Sequence, residues 1–333
     1  MDILNALVAI LNFVVVPAAA YGAQLALGAL GVTLIYGILR FSNFAHGDTM
    51  AFGTGIVILI TWLIQSMGIS LGPLPTALLA LPFGIALTAL FALLTDRVVY
   101  RHYRRIKADP IVVVMASVGV MFVMNGLTRL LIGVNEIQFA DGARFLVTVA
   151  QFREWSGLTE GLALRLSQVI TLVVTFVACA WLFWFLNKTR SGKAMRAYSD
   201  NEDLALLSGI DPESVVRLTW IIAITLAVLA GTLYGLDKSF KAFNYFQILL
   251  PIFAAAIVGG LGSPMGAVAG GFIIAFSEVA VTYPWKKVAT YLGFEPTGLL
   301  QLLSTEYKFA VSFVILIVVL LFRPTGLFRG RSV

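Results

Sequence analysis

The feature that most limits how this chain can fold is a series of apolar runs long enough to cross a lipid bilayer. The runs occupy residues 3–39, 44–67, 74–95, 111–133, 162–187, 215–236, 248–282 and 308–322. A helix needs about 20 apolar residues to cross roughly 30 Å of hydrocarbon, so most runs fit one tilted helix each. Only 12% of the residues are charged, about half the fraction usual for a soluble domain. The sequence therefore predicts an all-α, polytopic transmembrane helical bundle.

The first and seventh runs are too long for a single ordinary span. Each has roughly 35 residues, whereas a spanning helix usually has about 17–25. In the first run, Pro17 and Gly22 are possible breaks, and a polar island (FSNFAHGD, residues 41–48) follows with almost no room for a soluble loop. We therefore expect eight to ten membrane segments, with broken or re-entrant helices near 1–48 and 248–282.

Basic residues in the connecting segments predict the orientation of the spans. Three segments are strongly basic: residues 97–107 (RVVYRHYRRIK), the stretch from 188 to 217, and the tail with Arg323, Arg329 and Arg331. Short loops rich in Lys and Arg face the cytoplasm, so these segments should share the inner side. The remaining loops mix acids with bases and fit the outer face: about 134–161, 237–247 and 283–307.

This orientation places both ends of the run 248–282 on the outer side. The run must then cross the membrane twice, or enter it and return. A turn is predicted where glycine and proline concentrate: Gly259, Gly260, Gly262, Ser263 and Pro264. Irregular backbone at membrane depth occurs where it is buried in protein or lines a water-filled cavity, which makes these residues candidates for a translocation pathway. The alternative is a tight helical hairpin with close glycine packing.

The chain lacks the motifs of an enzyme or a nucleotide-binding protein. It has no G-x-x-x-x-G-K-[ST] loop, so an ATP-driven process would need a motor on another polypeptide. Its single cysteine, Cys179, excludes an internal disulfide, and its only histidines, His46 and His102, lack the spacing of metal ligands. We expect no catalytic, cofactor-binding or metal-binding residue in this chain. The net charge of +6 is explained by residues that orient the spans, and does not indicate nucleic-acid binding.

The inner segment 189–210 (TRSGKAMRAYSDNEDLALLSGI) has the pattern of two short helices. Ser199 or Asp200 is suited to cap a second helix that starts near Glu202, and Gly209 is suited to end it. A helix pair that is neither a membrane span nor a domain needs a partner to bury its apolar side. That partner is another protein or, alternatively, the lipid headgroups.

Charge within the spans is sparse. Asp48, Arg129 and Glu278 are the ionisable candidates, and each can be placed near a membrane end. Ion-coupled carriers keep acidic residues near the membrane midplane, so this distribution disfavours an ion-coupled carrier. A channel is a third possibility.

Six stretches, in order along the chain, resemble the signatures of bacterial branched-chain amino acid ABC transporter permeases of the LivH type. They are residues 31–37 (GVTLIYG), 43–47 (NFAHG), 97–101 (RVVYR), 189–210, 258–268 (VGGLGSPMGAV) and 321–328 (LFRPTGLF). The resemblance covers nearly the whole chain. It implies a single transmembrane permease domain over residues 1–333, in the bacterial inner membrane.

The same resemblance implies partners and site residues. A permease of this family pairs with a homologous second permease (LivM-like), two cytoplasmic ATPases that bind ATP and Mg, and a periplasmic solute-binding protein, for which the outer loop 134–161 is a plausible contact. The ATPase-coupling residues would be Gly192, Lys193, Ala194, Met195, Arg196, Asp200, Glu202, Leu206, Leu207 and Gly209. Asn43, His46 and Gly47 join the glycine turn as pathway candidates, with helix packing as their alternative role. Branched-chain amino acids are the expected solutes, but related permeases carry urea or short amides and the signatures do not separate the two groups.

Overall fold

A computed structural model describes residues 2–139, 144–294, 298 and 300–328. Its longer helices are α2 (Val16–Leu39), α3 (His46–Ser66), α4 (Ala77–Thr95), α6 (Pro110–Ile132), α8 (Leu166–Lys188), α11 (Pro212–Lys238), α12 (Ala242–Gly259), α13 (Pro264–Thr282) and α15 (Lys308–Phe322). The shorter helices are α1 (Asp2–Ile10), α5 (Arg101–Arg105), α7 (Val149–Ser156), α9 (Arg190–Asp200), α10 (Glu202–Leu207) and α14 (Lys286–Tyr291). One small antiparallel pair, β1 (Phe145–Val147) and β2 (Leu164–Arg165), lies in the outer loop.

Within these ranges, nine helical segments are long and apolar enough to cross a membrane. The all-α polytopic prediction is confirmed, and the count falls inside the expected eight to ten. Nine alternating spans bring the three basic segments to one end of the bundle, where Arg101 pairs with Glu213 and the Leu327 amide bonds the Val258 carbonyl. We refer to this as the inner end. Arg329 and Arg331 lie outside the described residues.

The core of the bundle is built around α2 and α11. Residues of α2 are buried almost continuously from Ala18 to Ile38, and α2 packs against α11, α12 and α13. It lies in backbone contact with α13, where a Cβ added to Gly271 would lie 2.6 Å from the Ala26 backbone nitrogen. Such close backbone contact is how helices associate in lipid, because the hydrocarbon supplies no hydrophobic force between them.

The two long runs resolve differently. In the first, neither Pro17 nor Gly22 breaks the helix: a π-helical turn at Leu11–Val15 joins α1 to α2, and the helical stretch continues to Leu39. A π turn supplies the local adjustment that a following proline needs. The break comes later, between α2 and α3. The second run forms two separate helices, α12 and α13, as the double crossing predicted.

Candidate functional site

The backbone between α2 and α3 turns back into the bundle. Arg40 has a left-handed conformation (φ 56°) and ends α2 at the inner end. The chain then runs without helical hydrogen bonds as far as Ala45, and α3 begins at His46. We call residues 40–45 the re-entrant segment. It confirms the broken backbone expected near residues 1–48, at a position that the Pro17 and Gly22 pattern did not indicate.

The start of α3 lies near the middle of the bundle. A Cβ added to Gly31 would lie 2.7 Å from Cε1 of His46 and 3.0 Å from the Ala223 carbonyl oxygen. Gly31 is eight residues before the end of α2, roughly 12 Å at the helical rise, and Ala223 lies eleven residues into α11, roughly 16 Å. The first turn of α3 is therefore deep inside the protein.

Side chains satisfy the backbone of the re-entrant segment. The Phe44 amide donates to Ser117 Oγ at 3.1 Å, and the Ala45 amide donates to Asn43 Oδ1 at 3.1 Å. The His46 amide bonds the Asn43 carbonyl at 3.2 Å. Exposed amides are costly in hydrocarbon, so these partners allow irregular backbone at this depth.

Asn43 also anchors an aromatic and ionic network in the inner half of the bundle. The Tyr100 hydroxyl donates to Asn43 Oδ1 at 3.2 Å, and the Tyr100 ring stacks on Trp220 with centroids 5.3 Å apart. Trp220 Nε1 donates to Asp96 at 2.8 Å, and Asp96 pairs with Arg104. The network connects the re-entrant segment to α11 and to the π-helical turn Asp96–Tyr100.

His46 and Gly47 occupy tightly packed positions in the first turn of α3. The His46 ring is fully buried, and neither ring nitrogen forms a hydrogen bond of normal geometry. The Gly28 carbonyl is the acceptor that the ring faces. A Cβ added to Gly47 would lie 2.9 Å from the Tyr245 carbonyl oxygen of α12. Three pathway candidates, Asn43, His46 and Gly47, are thus brought together near the bundle centre.

Asp48 differs from its expected position. The sequence allowed it a place near a membrane end, but it lies in the first turn of α3, close to the bundle centre, and is fully buried. Asn125 Nδ2 of α6 donates to its Oδ1 at 2.6 Å. The other two ionisable residues do lie near membrane ends, as expected. Arg129 is exposed in the last turn of α6, and Glu278 lies four residues before the outer end of α13. The sequence analysis missed Asn125, whose signal is an amide side chain inside the apolar run 111–133.

The glycine turn lies at the inner end rather than at membrane depth. Gly260 and Gly262 have φ values of 109° and 83°, which favour glycine, and Ser263 Oγ accepts from the Gly266 amide at 3.2 Å to cap α13. Gly259 accepts from the amide of Phe328 at 3.1 Å. This turn has the geometry of the helical hairpin with close glycine packing, and Pro264 occupies the first helical position of α13.

The inner segment 189–210 forms the helix pair that the pattern predicted. Thr189 caps α9 by accepting from the Gly192 amide at 3.0 Å, and Asn201 caps α10 by accepting from the Leu204 amide at 3.0 Å. The predicted caps Ser199 and Asp200 were therefore wrong by one or two residues, because the chain turns at Asn201.

Burial within the pair divides the predicted coupling residues. Gly192 and Met195 are buried, Ala194 is half-buried, and Lys193, Arg196, Asp200, Glu202, Leu206, Leu207 and Gly209 are exposed. Burial and then a hydrogen bond to Glu202 raise the pKa of the buried Tyr198 hydroxyl above its usual value. One face of α9 therefore packs on the bundle, while α10 presents its leucines outward.

The helix pair contacts the re-entrant segment and the end of α2, and it faces the glycine turn across a groove. Ser199 Oγ donates to the Gly37 carbonyl at 2.9 Å, and the Arg40 guanidinium donates to the Ser199 carbonyl. A groove of about 500 Å³ separates α9 from the turn and is lined by Met195, Arg196 and Gly262 among others. The predicted coupling residues and the glycine turn are thus neighbours at the inner end, whereas His46 packs on Gly31, six residues or roughly 9 Å along α2 from the Gly37 contact.

At the outer end, Glu160 connects the long outer loop to the N-terminal helix α1 and to α14. Its carboxylate accepts from Lys287 Nζ at 2.8 Å and from the Tyr291 hydroxyl at 2.6 Å, and its amide donates to Asn5 at 3.1 Å. Burial favours a higher pKa for Glu160, but the hydrogen bonds and the Lys287 charge outweigh it and lower the pKa. Burial and the nearby Glu160 charge raise the pKa of Tyr283.

Comparison with known proteins gives a consistent set of relatives. Residues 14–320 match the family described as branched-chain amino acid transport system / permease component. The chain is 30% identical over 313 residues to the high-affinity branched-chain amino acid transport system permease protein LivH of Escherichia coli K12, covering 92% of this chain and 91% of the relative. It is 29% identical over 309 residues to the permease protein BraD of Pseudomonas aeruginosa, covering 92% of each. It is 30% identical over 316 residues to a probable LivH of Methanocaldococcus jannaschii, covering 92% and 89%. No solved structure matches the chain.

Proposed function

This chain belongs to the family of branched-chain amino acid transport-system permease components, and we propose that it is the membrane-spanning subunit of an ABC importer for branched-chain amino acids. It would act in the bacterial inner membrane beside a second, LivM-like permease. A periplasmic binding protein would deliver the solute. Two cytoplasmic ATPases would hold ATP and Mg, and this chain would supply no ATPase site of its own.

The observation that best supports coupling to an ATPase is the uncovered side of α10. Leu204, Leu206 and Leu207 are 61%, 43% and 85% exposed on this short helix. Buried apolar surface is worth roughly 25 cal/mol per Å², so these side chains favour a partner. Glu202 and Asp203 lie beside them.

Those acids favour a protein partner over the lipid headgroups. A helix that rests on a membrane surface usually carries Lys and Arg on its polar face, and the cytoplasmic leaflet is negatively charged. Glu202 and Asp203 would be repelled there. We therefore assign the exposed side of α10 to docking of a cytoplasmic ATPase.

The contacts of the helix pair supply a route for motion. The pair is continuous with α8 and α11, and Ser199 and Arg40 connect it directly to the end of α2. α11 packs along α3, whose first turn holds His46 near the bundle centre. Closure of the ATPases on ATP would move the pair, and this chain of contacts would carry the displacement to the re-entrant segment.

One experiment tests the proposal. The complete transporter is purified, reconstituted in proteoliposomes, and assayed for ATP hydrolysis with leucine, isoleucine, valine or urea in the presence of its binding protein. We expect hydrolysis and uptake to rise with the three amino acids and to stay at the basal rate with urea. Stimulation by urea alone would overturn the substrate class. Uphill uptake by this chain without ATPases would overturn the coupling.

A further inference from the structure

A cavity of about 350 Å³ lies at the outer end of the bundle, away from the re-entrant segment and the helix pair. It sits where the C-terminal end of α11 meets the N-terminal end of α8. Its charged lining residues are Arg144, Arg165, Asp237 and Lys238. Its volume falls at the lower end of the range for small-molecule sites, roughly 300–1,000 Å³.

Asp237 is the unusual member of this lining. Its side chain is only 4% exposed, yet Oδ1 has no hydrogen-bond partner in the described chain. The nearest cationic nitrogens are Lys238 Nζ at 3.7 Å and Arg165 Nη1 at 3.9 Å, both too far for a hydrogen bond. Buried carboxylates are normally hydrogen-bonded, because an unpaired buried acceptor is costly. The cavity lining therefore contains a buried carboxylate oxygen that has cations nearby but no hydrogen-bond donor.

The rest of the lining has the opposite preference. Arg144, Arg165 and Lys238 outnumber Asp237, and each guanidinium has more donors than its present contacts use: Arg144 donates to the Gly72 carbonyl and Arg165 to the Asp237 carbonyl. Guanidinium groups suit carboxylates because they can donate two parallel hydrogen bonds. The cavity can thus pair an anion as well as a cation.

The two helix ends reinforce this division of charge. Ser167 lies in the first turn of α8, where the helix dipole favours an anion, and Asp237 lies in the last turn of α11, where it favours a cation. Phe139, Leu166 and Leu236 complete the lining with apolar surface. A ligand that matches these features carries one anionic group, one cationic group and a small apolar body.

We propose that this cavity is a binding site for a zwitterionic amino acid as it enters the permease. The ammonium group would bind Asp237, the carboxylate would bind Arg144 and Arg165, and the aliphatic side chain would contact Leu166 and its apolar neighbours. This rests on the proposed function, since it gives the imported solute a first site on this chain. An acidic side chain of a docked binding protein would pair with the arginines only and would leave Asp237 without its donor.

A binding measurement separates these possibilities. The complete transporter is placed in nanodiscs without its binding protein and titrated with leucine, 4-methylpentanoate and 3-methylbutylamine by saturation-transfer NMR. The two analogues each lack one of the charged groups of leucine. We expect leucine to bind, and each analogue to bind about tenfold more weakly or worse, because each leaves one charged partner in the cavity unpaired. Equal binding of leucine and 4-methylpentanoate would overturn the role of Asp237.

Variants test the same site in the assembled transporter. Asp237→Asn should weaken leucine binding about tenfold and abolish the preference for leucine over 4-methylpentanoate. Arg165→Gln should also weaken leucine binding about tenfold, and it should abolish the preference for leucine over 3-methylbutylamine. Lys286→Gln removes an exposed outer cation that does not line the cavity. It should change neither the affinity for leucine nor the preference for leucine over the two analogues.

The outcomes also separate this inference from the proposed function. If the unaltered transporter imports leucine but both lining variants bind and import it normally, the cavity assignment is wrong while the function stands. If the variants lose co-purification with the binding protein and keep leucine affinity, the cavity is a docking contact and the assignment is again wrong. If the unaltered transporter imports no amino acid, the proposed function itself fails.

Discussion

The Tyr100 hydroxyl and the Asn43 side chain meet at 3.2 Å, and this hydrogen bond fixes the re-entrant segment to the π-helical turn Asp96–Tyr100 of the span Ala77–Arg105. The same Asn43 oxygen also accepts from the Ala45 amide. One amide side chain therefore supports irregular backbone on one side and an aromatic stack on the other.

Replacing Asn43 should disturb this part of the protein most. In Asn43→Ala, the Ala45 amide and the Tyr100 hydroxyl both lose their acceptor, and an unsatisfied buried group costs roughly 1–3 kcal/mol. We expect a lower melting temperature of the detergent-solubilised transporter and loss of leucine uptake. Tyr100→Phe removes only one of the two bonds and should cost less. Equal melting temperatures for Asn43→Ala and the parent would show that the segment is held by other contacts.

Exposed leucines on α10 should be needed for assembly rather than for folding. Leu207→Asp introduces charge into the proposed docking surface without removing any buried contact, since Leu207 is 85% exposed. We expect normal membrane insertion and loss of ATPase co-purification; Arg196→Asp should weaken it as well. Leu302→Asp, at a 76% exposed leucine outside the inner segment, is the matched control and should retain the ATPases. Retained association and transport in Leu207→Asp would remove the coupling assignment.

Glu160 and its partners Lys287 and Tyr291 should make the protein less stable at acid pH. Because its pKa is lowered in the folded protein, its stabilising contribution is present above the unfolded pKa, about 4.3, and disappears as pH falls through the folded value. The contribution should stay below about 1 kcal/mol, since Lys287 is half exposed and solvent screens the pair. Melting curves between pH 3 and pH 7, roughly the range spanning these pKa values, test this. The melting temperature of Glu160→Gln should fall less at acid pH than that of the parent protein. Glu154→Gln, at an exposed carboxylate of the same loop, should follow the parent curve.

Close contact between α2 and α13 should make Gly271 intolerant of a methyl group. In Gly271→Ala the new carbon would lie 2.6–2.7 Å from backbone atoms of Ala26, so the two helices must separate. Overpacking of this kind typically costs 1–3 kcal/mol. Gly126→Ala in α6 meets no atom within 4 Å and should leave the melting temperature nearly unchanged. A similar melting temperature for both variants would contradict the tight crossing.

The sequence predicted the spans well because hydrocarbon thickness fixes their length and basic residues fix their direction. It also predicted the turn at Gly260, with the hairpin as one of two alternatives, and the inner helix pair, since both follow from backbone preferences of nearby residues. It did not locate the break at Arg40, because an arginine in a left-handed conformation has no sequence signal comparable to that of Pro17.

Contacts between distant residues were the other limit. Nothing near Asp48 in the sequence indicates that Asn125 will face it, and nothing near Asp237 indicates that Arg165 and Arg144 will lie beside it. These pairs depend on how the spans are arranged around each other, whereas periodicity reports only one span at a time.

The re-entrant segment gives this bundle an uneven architecture across its thickness. Extended chain advances about 3.3 Å per residue and helix 1.5 Å, so a stretch of six residues can return as far as a dozen helical ones. In the inner half of the protein, non-helical backbone held by a few side-chain hydrogen bonds therefore takes the place of a complete helix next to α11. Displacing this segment would exchange only these few hydrogen bonds, whereas displacing a complete helix would shift a whole buried face against its neighbours.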